Sequence, residues 1–258
     1  MTAVKANIQS ELKKLATDRD VTVLWACESG SRAWGFESLD SDYDVRFIYV
    51  RPTRDYLNVA SVRDVIEVPI ADDLDISGWD LKKALGLLRK SNPPLLEWMQ
   101  SPIVYEEFPE FRKGFWELCQ QYFCPKSCMY HYMSMATRGR RSYLDADTIR
   151  LKRYFYMLRP VLACQWLAEK GGIVPMEFEV LLQELVPEGR VKSLIKDLLE
   201  RKRSDVELGE GPVIPELSQF IIEKMDSFKE AVKGAKFRKP FEPLNDYFRK
   251  ILETVGRS

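Results

Sequence analysis

Apolar runs of strand length crowd into the first 107 residues of this chain, and past Phe108 the pattern turns helical. Strands followed by helices imply an α+β fold in two parts. The expected division is a mixed β-sheet with flanking helices at residues 1–107 and an all-α helical bundle at residues 108–258. VTVLWAC (Val21 to Cys27) is nearly all apolar and ends at Glu-Ser-Gly, the pattern of a strand buried on both faces. DVRFIYV (Asp44 to Val50) is a second, stopped by Arg51 and Pro52. DVIEVPI (Asp64 to Ile70) alternates and carries a proline near its end, which suits a strand nearer an edge. DLDIS (Asp73 to Ser77) is its expected hairpin partner, with Ala71, Asp72 and Asp73 as the turn. Ile8, Leu12 and Leu15 set an amphipathic helix ahead of the sheet. Leu81, Ala84, Leu85 and Leu88 set another after it, with Ser77 as the expected N-cap. Pro93 and Pro94 stop that helix, because proline donates no backbone hydrogen bond and restricts the residue before it.

GSRAWGFESLDSDYDVRF (Gly30 to Phe47) links the first two apolar runs. Asp42 and Asp44 stand at the entrance to the second strand, and residues two apart on extended backbone share a face. Two carboxylates side by side repel unless a cation shares them, and hard oxygen ligands of this kind suit Mg²⁺ together with substrate phosphates. A third acid is expected on a neighbouring strand. Asp75 fits, flanked by the apolar Leu74 and Ile76, whereas Asp80 is better placed to begin the next helix. Gly30 allows close backbone approach, and Ser31 and Arg32 offer donors to phosphate oxygens. Arg46 shares the strand face of Asp42 and Asp44, where it would meet phosphate or balance the acids. Together these groups describe metal-assisted transfer of a nucleotidyl group, with in-line displacement at the α-phosphorus and pyrophosphate leaving.

Gly30-Ser31, then Ser41-Asp42-x-Asp44, then Leu74-Asp75-Ile76 resembles the DNA polymerase beta-like nucleotidyltransferase superfamily. GWDLKKALGLLRKSNPPLLEWMQSPIVY, HYMSMATRGRRSYL and LKRYFYMLRPVLACQWL extend the likeness to the bacterial and phage group of predicted nucleotidyltransferases that includes RNA-ligase-partner proteins. The resemblance covers about two-thirds of the chain. It implies a nucleotidyltransferase-type sheet as catalytic domain and a helical substrate-binding domain. It also implies that Gly30, Ser31 and Ser41 serve the nucleoside triphosphate and that Asp42, Asp44 and Asp75 bind two Mg²⁺ ions. Lys152, Arg153 and Tyr156 are the helical residues expected at the triphosphate. The expected reaction moves a nucleoside monophosphate from an NTP to a hydroxyl acceptor, an RNA end being favoured, with an RNA-ligase or RNA-repair partner. A protein side chain or a small molecule such as an antibiotic is the alternative acceptor. A non-catalytic, antitoxin-like nucleotide-binding module is the rival class, and its expected signature, a missing acid, is not found.

Lys plus Arg and Asp plus Glu each number 39, so net charge alone does not announce a nucleic-acid partner. Any such partner must meet a local patch. Arg138, Arg140, Arg141, Arg150, Lys152, Arg153 and Arg159 interleave with Tyr143, Tyr154 and Tyr156, which suits an RNA strand or an amphipathic helix pair with solvated arginines. Cys119, Cys124, Cys128 and His131 are zinc-like by type, but their spacing is irregular and Pro125 divides them. Five cysteines suit reduced thiols better than a disulfide framework. With neither a signal-peptide core nor an apolar run of about 18 residues, the expectation is a soluble, cytoplasmic protein with no membrane partner.

Overall fold

The computed structural model describes residues 2–38, 41–70, 73–143, 147–204, 208–231 and 239–256. Its first part runs α1 (Thr2–Asp18), β1 (Thr22–Glu28), α2 (Gly30–Trp34), β2 (Tyr43–Val50), α3 (Thr53–Tyr56), β3 (Val65–Glu67), β4 (Leu74–Asp80), α4 (Leu81–Leu88), α5 (Pro93–Trp98) and β5 (Val104–Glu107). The five strands lie in the order β3-β4-β2-β1-β5. β2 and β4 are parallel, and the other neighbours are antiparallel. Glu67 pairs with Ser77 as the expected hairpin requires, while Ala71 and Asp72 of its turn lie outside the described residues.

Period-2 alternation sorts β2 into two faces. Val45, Phe47 and Tyr49 join Ile8, Leu12 and Leu15 of α1 in one core. Ile48 and Val50 face the other way, into a larger core shared with α4, α5 and the helical half. Asp44 and Arg46 have the parity of Ile48, so the acidic end of the strand looks toward the helices. One correction concerns the cap of α4. Ser77 lies inside β4, and the buried Asp80 caps the helix by accepting from the Lys82 amide at 2.8 Å. The two prolines do more than stop α4, because they open α5 with Asn92 accepting from the Leu95 amide at 3.2 Å.

The second part comprises α6 (Phe111–Tyr122), α7 (Pro125–Tyr143), β6 (Thr148–Arg150), α8 (Arg153–Glu169), α9 (Phe178–Leu185), α10 (Arg190–Arg203), β7 (Glu210–Pro212), α11 (Pro215–Phe228) and α12 (Glu242–Val255). The short antiparallel ladder of β6 and β7 is an addition to the all-helical expectation. Several contacts join the halves near the acids. Phe36, just past α2, stacks on Phe155 at 4.8 Å and meets Phe178 edge-on at 5.5 Å. Behind them Arg159 of α8 donates to Glu97 of α5 at 2.6 Å, and Tyr132 of α7 donates to the same carboxylate oxygen at 2.8 Å. No helix among the described residues is long and apolar enough to cross a membrane.

Candidate active site

The turn after β1 is shaped by what lies beneath it. Gly30 has φ +60°, and a side-chain carbon there would collide with the carboxylate of Asp44. Only glycine meets both demands, backbone in the left-handed region and no atom in the way. The Ser29 amide donates to the Asp44 carbonyl at 2.8 Å, and the Asp44 amide donates to Glu28 at 2.7 Å, so Asp44 is held through its backbone on both sides. Glu28 is fully buried, takes a second hydrogen bond from the Tyr105 hydroxyl, and has its carboxyl pushed above the ordinary range chiefly by burial. Sequence patterning did not single it out, because a lone Glu at the end of an apolar run carries no periodic signal.

Parallel pairing of β2 and β4 sets Asp44 opposite Asp75. Arg46 lies between them, donating through one terminal nitrogen to Asp44 at 3.0 Å and to Asp75 at 2.7 Å. Its other terminal nitrogen donates to the carbonyls of Asp75 at 2.9 Å and Val45 at 3.1 Å. Burial raises the Asp44 carboxyl above its ordinary value, Arg46 opposes this, and Asp75 and Asp42 add to it. Burial first, and the neighbouring acids after it, thus disfavour the charged form of Asp44, which a cation bound at the carboxylates would favour. As the side chains stand, no three His, Cys, Asp or Glu among the described residues gather closely enough to hold a metal. The donor chemistry nonetheless fits one Mg²⁺, which ordinarily takes one or two carboxylates and completes its shell with phosphate oxygens and water.

Asp42 is exposed at the end of a braced loop. The Ser38 amide donates to Ser41 Oγ at 3.0 Å, and the Ser41 amide returns a bond to the Ser38 carbonyl at 3.1 Å. Arg32 donates to the carbonyls of Asp42 at 3.2 Å and Ser41 at 2.5 Å, with its guanidinium 3.8 Å from the Tyr43 ring centroid. Its contacts are thus to the loop backbone. The structure gathers Ser31, Ser41, Asp42, Asp44, Lys152 and Tyr156 around a cleft of about 100 Å³. Gly30 lies beneath its wall against Asp44, and Asp75 is reached through Arg46. Arg153, half-buried at the start of α8, is not on the wall.

Lys202, from the last turn of α10, also lines the cleft and donates to Ser38 Oγ at 3.3 Å, while Arg203 donates to the Gly35 carbonyl at 2.9 Å. Both stand in the last turn of α10, where basic side chains complement the helix dipole. Tyr156 is 53% exposed and meets Trp34 edge-on at 5.8 Å; desolvation and then the charges of Asp44 and Asp42 push its phenol upward.

The basic and aromatic stretch does not form one stripe. Arg159 is 2% exposed and paired with Glu97. Arg140 lies 3.9 Å from Asp226 and Arg150 3.7 Å from Glu210, and the side chains of Arg141 and Tyr143 lie outside those described. Tyr154 is buried against Ser218. Trp79 sits at the far end of β4, where it stacks on Trp98 at 3.9 Å, and Lys82 follows in the first turn of α4. Cys119, Cys128 and Cys164 are buried thiols whose pKa values burial raises, a setting for packing rather than metal binding.

A glycine turn pressed against a strand-borne aspartate, with one acid just before that strand and another on its parallel neighbour, resembles the arrangement of DNA polymerase beta-type nucleotidyltransferases. Residues 4–250 match the model of the RNA repair pathway DNA polymerase beta family, RlaP, and the chain belongs to that family. It is 46% identical over 252 residues to the uncharacterized protein YcgL of Bacillus subtilis (strain 168), covering 98% of this chain and 96% of that protein. A solved nucleotidyltransferase-like protein from Exiguobacterium sibiricum 255-15 overlaps at a TM-score of 0.33 and 12% identity, over 96% of this chain and 80% of that one, a likeness too loose to carry an argument.

Proposed function

We propose that this protein is a Mg²⁺-dependent nucleotidyltransferase that moves a nucleoside monophosphate from an NTP to the hydroxyl end of an RNA, releasing pyrophosphate. The observation that carries the reading is the meeting, in one cleft, of Asp42 and Asp44 with Ser31, Lys152 and Lys202. Acids that attract a divalent cation there face donors that suit phosphate oxygens. The family's description as an RNA repair pathway family supports RNA as the acceptor class.

Asp42 and Asp44 would hold Mg²⁺, which when bound neutralises charge on the transferring phosphoryl group. Ser31 and the two lysines bind the triphosphate, as point-charge and hydroxyl donors to its oxygens. Tyr156, exposed beside Trp34, offers its ring to the base. Asp75, oriented by Arg46, takes the proton of the attacking hydroxyl. The new bond joins that oxygen to the α-phosphorus, the bond to the bridging oxygen breaks, and pyrophosphate leaves.

The test is label transfer from each of the four α-³²P NTPs, with Mg²⁺ and either total RNA or a protein lysate, comparing wild type with Asp44→Ala. The expected result is label on RNA that the variant fails to add. Label on protein alone would reassign the acceptor to a side chain. NTP binding with no transfer and no pyrophosphate release would leave a binding module.

A further inference from the structure

Arg46 fixes the number of metal ions this site takes. We propose that its guanidinium is a resident cation standing where a second divalent ion would be shared by Asp44 and Asp75, so that the metal site of the wild-type protein binds one divalent ion, at Asp42 and Asp44. The inference rests on the reading of Asp42 and Asp44 as metal ligands.

Three observations carry it. Arg46 reaches both carboxylates with a single terminal nitrogen, at 3.0 and 2.7 Å, so its charge sits between them. The other terminal nitrogen bonds two backbone carbonyls, including that of Asp75, which fixes the guanidinium in place instead of leaving it a loose counter-ion. The Arg46 side chain is only 19% exposed, and the two carboxylates it joins are about one-third exposed, so the pair is weakly screened. A second divalent ion shared by Asp44 and Asp75 would have to displace four hydrogen bonds from one partly buried arginine, or sit beside a positive charge that repels it. Asp42 makes no such contact with Arg46, and it opens directly on the cleft with Asp44. Arginine suits this role because it stays protonated at any working pH and its planar fork meets carboxylate and carbonyl oxygens together.

The test counts Mn²⁺ bound per chain by electron paramagnetic resonance, with a non-hydrolysable NTP analogue present. Ions carried by the analogue alone are subtracted in a protein-free titration. Wild type is expected to bind one protein-dependent Mn²⁺. Arg46→Met, which keeps the length of the stem and removes the charge, is expected to bind two, with the first at least tenfold tighter. Two ions in wild type, or one in both proteins at equal affinity, would overturn the proposal. Should Arg46→Met fail to fold, the wild-type count alone decides between one ion and two. Asp44→Ala is the control for the underlying reading: if it binds Mn²⁺ as wild type does, the metal-ligand assignment has failed and the role of Arg46 falls with it. If Asp44→Ala loses binding while wild type binds two ions, only the Arg46 proposal is lost.

Discussion

The acids of the site stand at the start of β2 and on its parallel neighbour β4, whereas the basic wall of the cleft is carried by the ends of two helices from much later in the chain. The acids are held by many independent constraints. Strand register sets Asp44 opposite Asp75, Gly30 presses on one carboxylate, Glu28 and Ser29 grip the Asp44 backbone, and Arg46 bridges the pair. Lys152 and Lys202 are instead long side chains at the start of α8 and the end of α10, and the Lys202 amine reaches across to Ser38 at 3.3 Å. Such a contrast suits a rigid reaction centre facing adaptable substrate contacts. It predicts that substitutions on the two walls fail in different ways.

The largest effect belongs to the acidic wall. Asp42→Ala should lower kcat about ten-thousandfold, about 5.5 kcal/mol of transition-state stabilisation, while the unfolding midpoint in urea stays within error of wild type. A kcat within tenfold of wild type would remove Asp42 from the centre. Next comes Arg159→Met, behind the basic wall. Leaving Glu97 buried with Tyr132 but without its cation should cost about 3–5 kcal/mol in urea unfolding. RNA affinity of the still-folded variant should not move, since Arg159 never reaches the surface. A loss of RNA binding with unchanged stability would restore the RNA-tracking stripe, one of the two readings the sequence left open.

Lys202→Ala should be milder and of a different kind. It removes a charge-assisted contact to phosphate, so KM for NTP should rise about tenfold with kcat nearly unchanged. An equal fall in kcat would mean that Lys202 belongs with the rigid wall. The smallest effect is a pH dependence. Burial raises the carboxyl of Asp44 in the folded protein, so this group binds a proton more readily folded than unfolded. Its contribution to stability is present below the unfolded value and is lost as pH rises through the folded one. The melting temperature of the metal-free wild type should therefore gain on Asp44→Asn as the solution is acidified from neutrality into the carboxylate range. Parallel curves for the two proteins would refute the sign.

How far the sequence reveals the two walls follows from the same contrast. Period-2 spacing makes Asp42, Asp44 and Arg46 readable as one face, and the apolar-Asp-apolar triplet at Leu74, Asp75 and Ile76 marks its neighbour. Strand pairing then needs only the short chain between them. Lys202 carries no comparable mark, because its place in the cleft depends on how α10 packs against residues more than a hundred and fifty positions earlier, with Ser38 at a separation of 164. Glu28 goes unmarked and Arg159 reads as one of a basic stretch for another reason: each is a charge buried by partners that no local pattern names. The cap of α4 shows the limit at short range, since Ser77 and Asp80 are both good capping residues and only the length of β4 decides between them.

The central claim is that the acidic wall drives transfer from NTP to a hydroxyl. It is tested most directly by pyrophosphate release from NTP in the presence of RNA with a free 3′ hydroxyl, with and without Mg²⁺, in wild type and Asp44→Ala. The account predicts release that needs Mg²⁺, needs the hydroxyl, and disappears in the variant. Release that persists in Asp44→Ala, or that ignores the hydroxyl, would contradict it.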